Sequence, residues 1–363
     1  MNALMIGLPA IRGFLSVLII CVFVALLSGC MSAGIPGVPS PGIIDNSSQI
    51  PGPVGITTLE HREYPVKRII SQNDDATELL LAIGASDSIV GITNTATKKP
   101  YLTEKIPHAR SIGDWLFPDM ETVLSLNPDV IVSYSTSRPR NLEKLTAANL
   151  SLVYCDAYRI NTLVPDARLL GELTGHSTGA ERYVAFYEKY SSLVESRVPR
   201  TPKGDQIRVY AEAYSDYSVM TERSAGGRIL DALNVQNIYG NHTSDWATVS
   251  PEWVIGEDPD IIIKFSTDPQ KGENLTSVRE RIMRRPGYSN ISAVKNNRVY
   301  VLNGEIGSSP RAVIGLVYVA KAIYPDKFED IDPMDILAEY DREFVSGTGM
   351  SDAFNPALGR MDS

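Results

Sequence analysis

The chain is poor in the residue types that build metal centres and nucleophilic sites. Its 363 residues include four histidines, His61, His108, His176 and His242, and three cysteines, Cys21, Cys30 and Cys155. The histidines show no metal-ligand spacing, so a bare zinc or manganese site, which needs several converging imidazoles or carboxylates, is not expected. Ligation of a haem iron through one Tyr or His stays open. Cys21 lies in an apolar N-terminal run and Cys30 closes it, which leaves Cys155 alone in the rest of the chain and excludes an internal disulfide there. Basic charge is also scarce: 34 Lys and Arg against 43 Asp and Glu give a net charge of −9, and no basic stripe exists to neutralise a nucleic acid. A Gly-Lys-Ser/Thr phosphate loop is missing too, so the chain is no nucleotide-driven motor subunit.

One long hydrophobic run is present, at residues 14–27, preceded by Arg12 and closed by Leu27-Ser28-Gly29-Cys30. It is short for a membrane span and suits the core of a signal peptide over residues 1–29. Small residues before a cysteine resemble a lipobox, at which a secreted chain is cut and its new N-terminal Cys30 lipidated. The alternative is an uncleaved N-terminal anchor, and both place the protein outside the cytoplasmic membrane. Residues 30–58 are rich in Gly, Pro and Ser without apolar periodicity, the composition of a flexible tether. The remaining length, with 43% apolar and 21% charged residues overall, has room for two domains.

A duplicated stretch organises that remainder. The first copy reads Trp115-Leu-Phe-Pro-Asp119-Met-Glu121-Thr-Val-Leu-Ser-Leu-Asn-Pro128-Asp129-Val-Ile-Val, and the second Trp246-Ala-Thr-Val-Ser250-Pro-Glu252-Trp-Val-Ile-Gly-Glu-Asp-Pro259-Asp260-Ile-Ile-Ile. Each reads as a short capped helix followed by a buried strand. Asp119 and Ser250 are expected N-caps, Pro251 suits the first helical position, and Pro128 and Pro259 stop the helices. The β-branched runs after them suit a parallel sheet covered on both faces.

Around these copies, strands are expected at 66–71, 89–92 and 151–155 in a first half, and at 207–211 and 298–302 in a second. Helices are expected at 76–83, closed by a left-handed Gly84, and at 226–233, where Asn234 takes the place of Gly84. Between the halves, residues 163–198 read as helical, with Tyr183, Phe186, Tyr187, Tyr190 and Val194 at helical spacing. An apolar helix over 309–323 and a last helix from about 335 to 344 complete the pattern. The fold class is therefore α/β, with two Rossmann-like lobes of parallel strands joined by one long helix and a ligand cleft between them. The lobes span 59–162 and 200–346, the linking helical region 163–199, and 347–363 form a disordered tail.

This arrangement resembles the substrate-binding lipoproteins of ABC importers for metal chelates, the cobalamin, haem and ferric-siderophore binders with a helical backbone. The residues that carry the resemblance are the segment from Ile69 to Ala85, the two segments containing Glu121 and Glu252, and Ser309-Pro-Arg before its apolar helix. It covers roughly residues 59–344. The resemblance implies a non-enzymatic, monomeric receptor with no cofactor of its own, whose ligand is a ferric siderophore, haem or cobalamin. Its partners would be a permease dimer with its ATPase subunits, and the membrane through a lipid anchor on its outer face. Glu121 and Glu252 fall at the positions of the permease-docking glutamates, although an acid in a first helical turn also favours the helix dipole unaided. Trp115 and Trp246 fall where cobalamin binders place cleft tryptophans, although each also suits a core-covering role. Asn73, Asp74, Tyr214, Tyr217, Arg223 and Glu305 lie in loops expected at the same cleft.

Two rival readings remain. Gly175-His-Ser177-Thr-Gly179 matches the Gly-x-Ser-x-Gly pattern of a secreted serine hydrolase, but that pattern needs a strand before its serine. Residues 167–174 read instead as helix, which puts Ser177 in a helix–helix turn. The other rival is a surface adhesin or signalling lipoprotein that borrows the fold.

Overall fold

The structure is a computed structural model and describes residues 56–57, 64–140, 142–148, 150–240, 246–267 and 274–345. The signal and lipobox, Cys30, most of the tether and the expected tail lie outside these residues. Among the described residues no helix is long and apolar enough to cross a membrane.

The first lobe runs β1 (Ile56–Thr57), β2 (Ile69–Ser71), α1 (Asp74–Ala82), β3 (Ile89–Ile92), α2 (Pro100–Thr103), β4 (Arg110–Ser111), α3 (Met120–Ser125), β5 (Val130–Ser133), α4 (Leu142–Ala147) and β6 (Ser151–Tyr154). Its sheet has the order β1-β6-β5-β2-β3-β4, parallel except for β1, which pairs antiparallel with β6. The tether expected to run through residue 58 thus gives two residues to the sheet, where they cover an otherwise unpaired strand edge. Strands β5 and β6 are buried at every position, as expected of a sheet covered on both faces.

Two helices follow, α5 (Leu163–Thr174) and α6 (Ser177–Arg197). The second lobe then runs β7 (Arg208–Glu212), β8 (Ser218–Met220), α7 (Ala225–Ala232), β9 (Gln236–Asn237), β10 (Trp246–Thr248), α8 (Pro251–Glu257), β11 (Ile261–Ser266), α9 (Leu275–Met283), α10 (Ser292–Lys295), β12 (Val299–Asn303), α11 (Gly304–Gly307), α12 (Ala312–Ile323) and α13 (Pro333–Tyr340). Here β9, β7, β11 and β12 pair in parallel, while β8 and β10 add antiparallel. The second sheet is therefore mixed. Strands β8 and β10 are three residues each, too short to leave a readable alternation in sequence.

The duplicated unit keeps its geometry in both lobes. Asp119 caps α3 by accepting from the Glu121 N–H, and Ser250 caps α8 by accepting from the Trp253 N–H, with Pro251 at the start of the helix. Both helices leave through a left-handed residue, Asn127 at φ 44° and Asp258 at φ 43°. The expected left-handed exits at Gly84 (φ 91°) and Asn234 (φ 52°) also match. The copies differ upstream: Trp115 lies in a bend before α3, whereas Trp246 opens the antiparallel strand β10.

The helical region is divided at Gly175, whose φ of 75° ends α5, where a helix–helix turn was expected. Helix α6 starts at Ser177, and Gly179 lets it press against the end of α1. A Cβ on Gly179 would lie 1.9 Å from the Ile83 carbonyl oxygen. The two glycines of the hydrolase-like pattern thus have structural reasons, and Ser177 opens a helix that follows a helix, without the strand a nucleophile elbow requires. Tyr183, Phe186, Tyr187, Tyr190 and Val194 are all buried along one face of α6. Tyr183 Oη donates to Pro310 O of the second lobe at 2.6 Å, and Tyr187 Oη donates to Ile160 O on the first-lobe side.

The chain's last described segment returns to the first lobe. Tyr340 Oη donates to Glu78 Oε1 of α1 at 3.1 Å, and Glu78 Oε2 receives Arg311 Nη2 from the start of α12 at 2.7 Å. Glu78 is 4% and Arg311 1% exposed, so this ion pair between the lobes is shut off from water. The oxygens of Glu78, Tyr101, Glu305 and Tyr340 outweigh burial and raise the Arg311 pKa. With α6, these contacts tie the lobes together at several points.

Candidate functional site

A cleft of about 390 Å³ opens between the lobes, lined by residues that mostly follow strand C-termini. Asp74 and Asp75 come after β2, Thr95 after β3, Tyr134 after β5, Tyr158 after β6 and Tyr214 after β7. This is where open α/β sheets bind ligands, because adjacent connections diverge there and leave a crevice.

The first-lobe wall is a run of rings. Trp115 meets Tyr134 edge-on with centroids 5.7 Å apart, and Tyr134 meets Tyr158 in the same manner at 6.0 Å. Tyr134 Oη donates to Asp75 Oδ2 at 3.0 Å. The bend carrying Trp115 is held from three sides. Gln72 Nε2 donates to Trp115 O at 2.6 Å, Asp114 Oδ1 accepts the Leu116 and Phe117 N–H groups, and Arg140 N donates to Leu116 O. Such support presets the indole, which lowers the entropy lost when a ligand orders it. The facing wall is smaller and uncharged: Tyr214, Met220, Ser224, Ala225 and Ser308. Two glycines make room for it, since a Cβ on Gly304 would meet the Tyr214 ring at 2.5 Å and one on Gly226 would meet Met220 Sδ at 2.1 Å.

Residues 69–306, which hold every strand but β1 and all the described lining but Ser308, match the model of the periplasmic binding proteins. The chain belongs to this family. Its members are substrate-binding proteins of transport systems rather than enzymes, and they act outside the cytoplasm with a membrane permease and an ATPase. The chain is 24% identical over 290 residues to the ABC transporter substrate-binding lipoprotein YvrC of Bacillus subtilis, covering 77% of this chain and 88% of that one. It is 25% identical over 217 residues to the vitamin B12-binding protein of Yersinia pestis, covering 59% and 75%. Among solved structures, the molybdate periplasmic binding protein of Haemophilus influenzae shares the fold with a TM-score of 0.66 at 19% identity, over 81% of this chain and 95% of the other.

In this binding protein, Asp74, Trp115 and Tyr214 reach the cleft as the sequence suggested. Glu305 sits just off the lining, where Lys99 Nζ lies 3.3 Å from it and 3.6 Å from Asp74, so one ammonium joins acids of both lobes. Burial works against the Lys99 charge, yet the oxygens of Tyr101, Glu305, Asp75 and Asp74 raise its pKa.

Other expectations need correction. Asn73 is fully buried as the N-cap of α1. Its Oδ1 accepts from the Asp75 and Ala76 N–H groups and its Nδ2 donates to Cys155 O and Asp156 O, so no capacity remains for a ligand. Tyr217 turns away from the cleft at φ 61° and packs on Tyr288, with the Arg285 guanidinium 4.5 Å from its ring centroid. Arg223 is exposed beside the lining residue Ser224 and does not itself line the cleft. The Trp246 side chain lies outside what the structure describes.

A buried charge cluster explains why the loop with Tyr217 is fixed. Lys264 Nζ donates to Glu212 Oε1 at 2.8 Å and to Ser215 O at 3.1 Å, while Arg285 reaches Glu212 at 2.7 and 2.9 Å and Asp216 at 2.8 Å. Burial raises the Glu212 pKa, but Arg285 and Lys264 reverse the shift and leave it lowered. The cluster holds the stretch after Tyr214, and so the ring that stretch presents to the cleft. Lysine inside an Ile-rich strand gave the sequence no sign of this role.

Glu121 and Glu252 are exposed in the first turns of α3 and α8. A repeated staple fixes each helix at its other end. Arg68 donates from Nε and Nη2 to Leu126 O, at 3.0 and 2.6 Å, while Asp129 accepts the Lys67 and Arg68 N–H groups at 2.8 and 2.9 Å. In the second lobe Arg208 donates to Glu257 O, and Asp260 accepts the Arg208 N–H at 2.8 Å. The Arg and the Pro-Asp aspartate of each lobe thus tie the end of α3 or α8 to the chain entering β2 or β7.

Burial, helped by the charges of Asp74 and Glu78 and opposed by Lys99 and the Tyr134 hydrogen bond, pushes the Asp75 carboxyl up to about 8. Between the ordinary 3.8 and that value the folded chain keeps a proton that the unfolded chain has lost, so this group lowers stability as pH rises. An Asp75→Asn chain should therefore gain stability relative to the parent from pH 5 to pH 8. Thermal melts of the two proteins across that range test this, and parallel curves would remove Asp75 as a source of pH dependence.

Proposed function

We propose that this protein is the receptor of an ABC importer for a metal chelate, a ferric siderophore, haem or cobalamin. It holds the ligand between its lobes and hands it to a membrane permease. One observation carries the reading: an interlobe cleft at strand C-termini, walled by Trp115, Tyr134, Tyr158 and Tyr214. Broad ring faces suit a flat macrocycle or the aromatic arms of a chelator. The likeness to a vitamin B12-binding protein supports the same class of cargo. Anchoring through a lipid on Cys30 at the outer face of the membrane belongs to the proposal, and so does docking through Glu121 and Glu252. Phe117 and Leu124, 63% and 51% exposed, flank Glu121 and give that face the mixed apolar and acidic character of a partner surface.

The test pairs binding with uptake. The chain from residue 56 onward is titrated with cobalamin, haem and ferric siderophores while tryptophan fluorescence is followed, and cells carrying the parent or the Glu121→Ala/Glu252→Ala chain are assayed for uptake of whichever ligand quenches. The expected result is saturable quenching in both chains and loss of uptake by about tenfold or more in the variant, since the lost charges act on docking rather than on the cleft. Uptake unchanged in the variant would remove the docking assignment. Binding without any link to uptake would favour an adhesin or signalling lipoprotein.

A further inference from the structure

The cleft's charge is one-sided. Its described lining carries two carboxyls, Asp74 and Asp75, and no basic side chain. The nearest ammonium, Lys99, is already shared between Asp74 and Glu305, so these groups together leave no positive excess at the mouth. Arg159 is directed to Asp156 at 3.6 Å and lies over the Tyr158 ring, behind the wall rather than in it. Asp74 Oδ1 also accepts from the hydroxyls of Thr93 and Thr95. The remaining polar groups of the lining are mainly hydroxyls, which can serve as donors or acceptors.

Resting on the receptor reading above, we propose that the cleft selects an uncharged or cationic chelate with hydrogen-bond donors on its face, and excludes polyanionic chelates. An anion of two or three charges would be brought against Asp74, and the described lining holds no guanidinium or ammonium to receive it. Like charges so placed oppose association strongly. A ligand bearing amides or an ammonium arm meets two carboxyls instead. Asp75, which keeps its proton at neutral pH, can yield that proton when a cation arrives beside it. Binding of a cationic chelate then releases a proton, whereas binding of an uncharged one does not.

The experiment is a charge series on the chain from residue 56 onward. The probes are cyanocobalamin, an uncharged ferric trihydroxamate, a ferric trihydroxamate with an ammonium arm, haem, and a ferric tricatecholate, each followed by fluorescence and by calorimetry in two buffers of different ionisation enthalpy. An uncharged or cationic member should bind at least about tenfold more tightly than haem or the tricatecholate. Asp74→Asn, checked for folding by its melt, should narrow that ratio. Tighter binding of an anionic member would overturn the charge inference and leave the receptor reading standing. Silence from every probe would count against the receptor reading itself.

Discussion

Replacing Arg311 with alanine should lower the melting temperature by about 10 °C. The guanidinium is buried between the lobes against Glu78, with Tyr101 and Tyr340 on the same carboxylate. Its removal leaves a carboxylate with no counter-charge in a site closed to water, a loss of roughly 3–5 kcal/mol for pairs of this kind. For a chain of this size each kcal/mol moves the melting point by about 2–4 °C. The double replacement Glu78→Leu/Arg311→Met should recover much of the loss, because it removes both charges and leaves apolar volume behind. Melts of the single and double variants decide the matter. If the double variant is as unstable as the single, the effect comes from packing and not from an abandoned charge.

Gly179→Ala should be nearly as damaging. A Cβ there would sit 1.9 Å from the Ile83 carbonyl oxygen and 2.7 Å from its carbon, and both are backbone atoms that cannot rotate aside. Helix α6 would have to retreat from α1, and with it the face bearing Tyr183, Phe186 and Tyr187. Overpacking of well-filled interiors typically costs about 1–3 kcal/mol, and contact with rigid backbone on both sides puts this site at about the upper end or beyond. Gly256 supplies the control, because a Cβ there meets nothing within 4 Å. Gly256→Ala should therefore be neutral or slightly stabilising. A Gly179→Ala protein that melts with the parent would show that the two helices are not in tight contact.

Features written in local chemistry were legible in the sequence. Asp119, Ser250 and Pro251 announce helix starts, and Gly84 and Asn234 announce left-handed exits. The ring spacing of α6 was also clear, because each depends on a few neighbouring residues. The cleft was legible at Asp74, Trp115 and Tyr214, each in or beside a loop that follows an expected strand or precedes an expected helix. Tyr158, Met220 and Ser308 come from three distant segments that meet only after both sheets have formed. Asn73 and Asp74 look alike as polar loop residues, yet one is consumed in capping α1 and the other is left at the cleft. The Pro-Asp repeat was visible as a helix stop, while its pairing with Arg68 and Arg208 required the strand order.

The buried residues have a further consequence for how the molecule comes apart. A single apolar cluster runs from Val66 in the first lobe through Tyr183 and Phe186 to Phe265, Leu316 and Phe344, so both lobes contribute to one interior. Two sheets therefore do not make two independent unfolding units. Water admitted at one lobe would reach side chains on which the other depends, so the expected thermodynamic unit is the pair. A receptor built this way remains a single cooperative body while its two sheets keep separate strand orders.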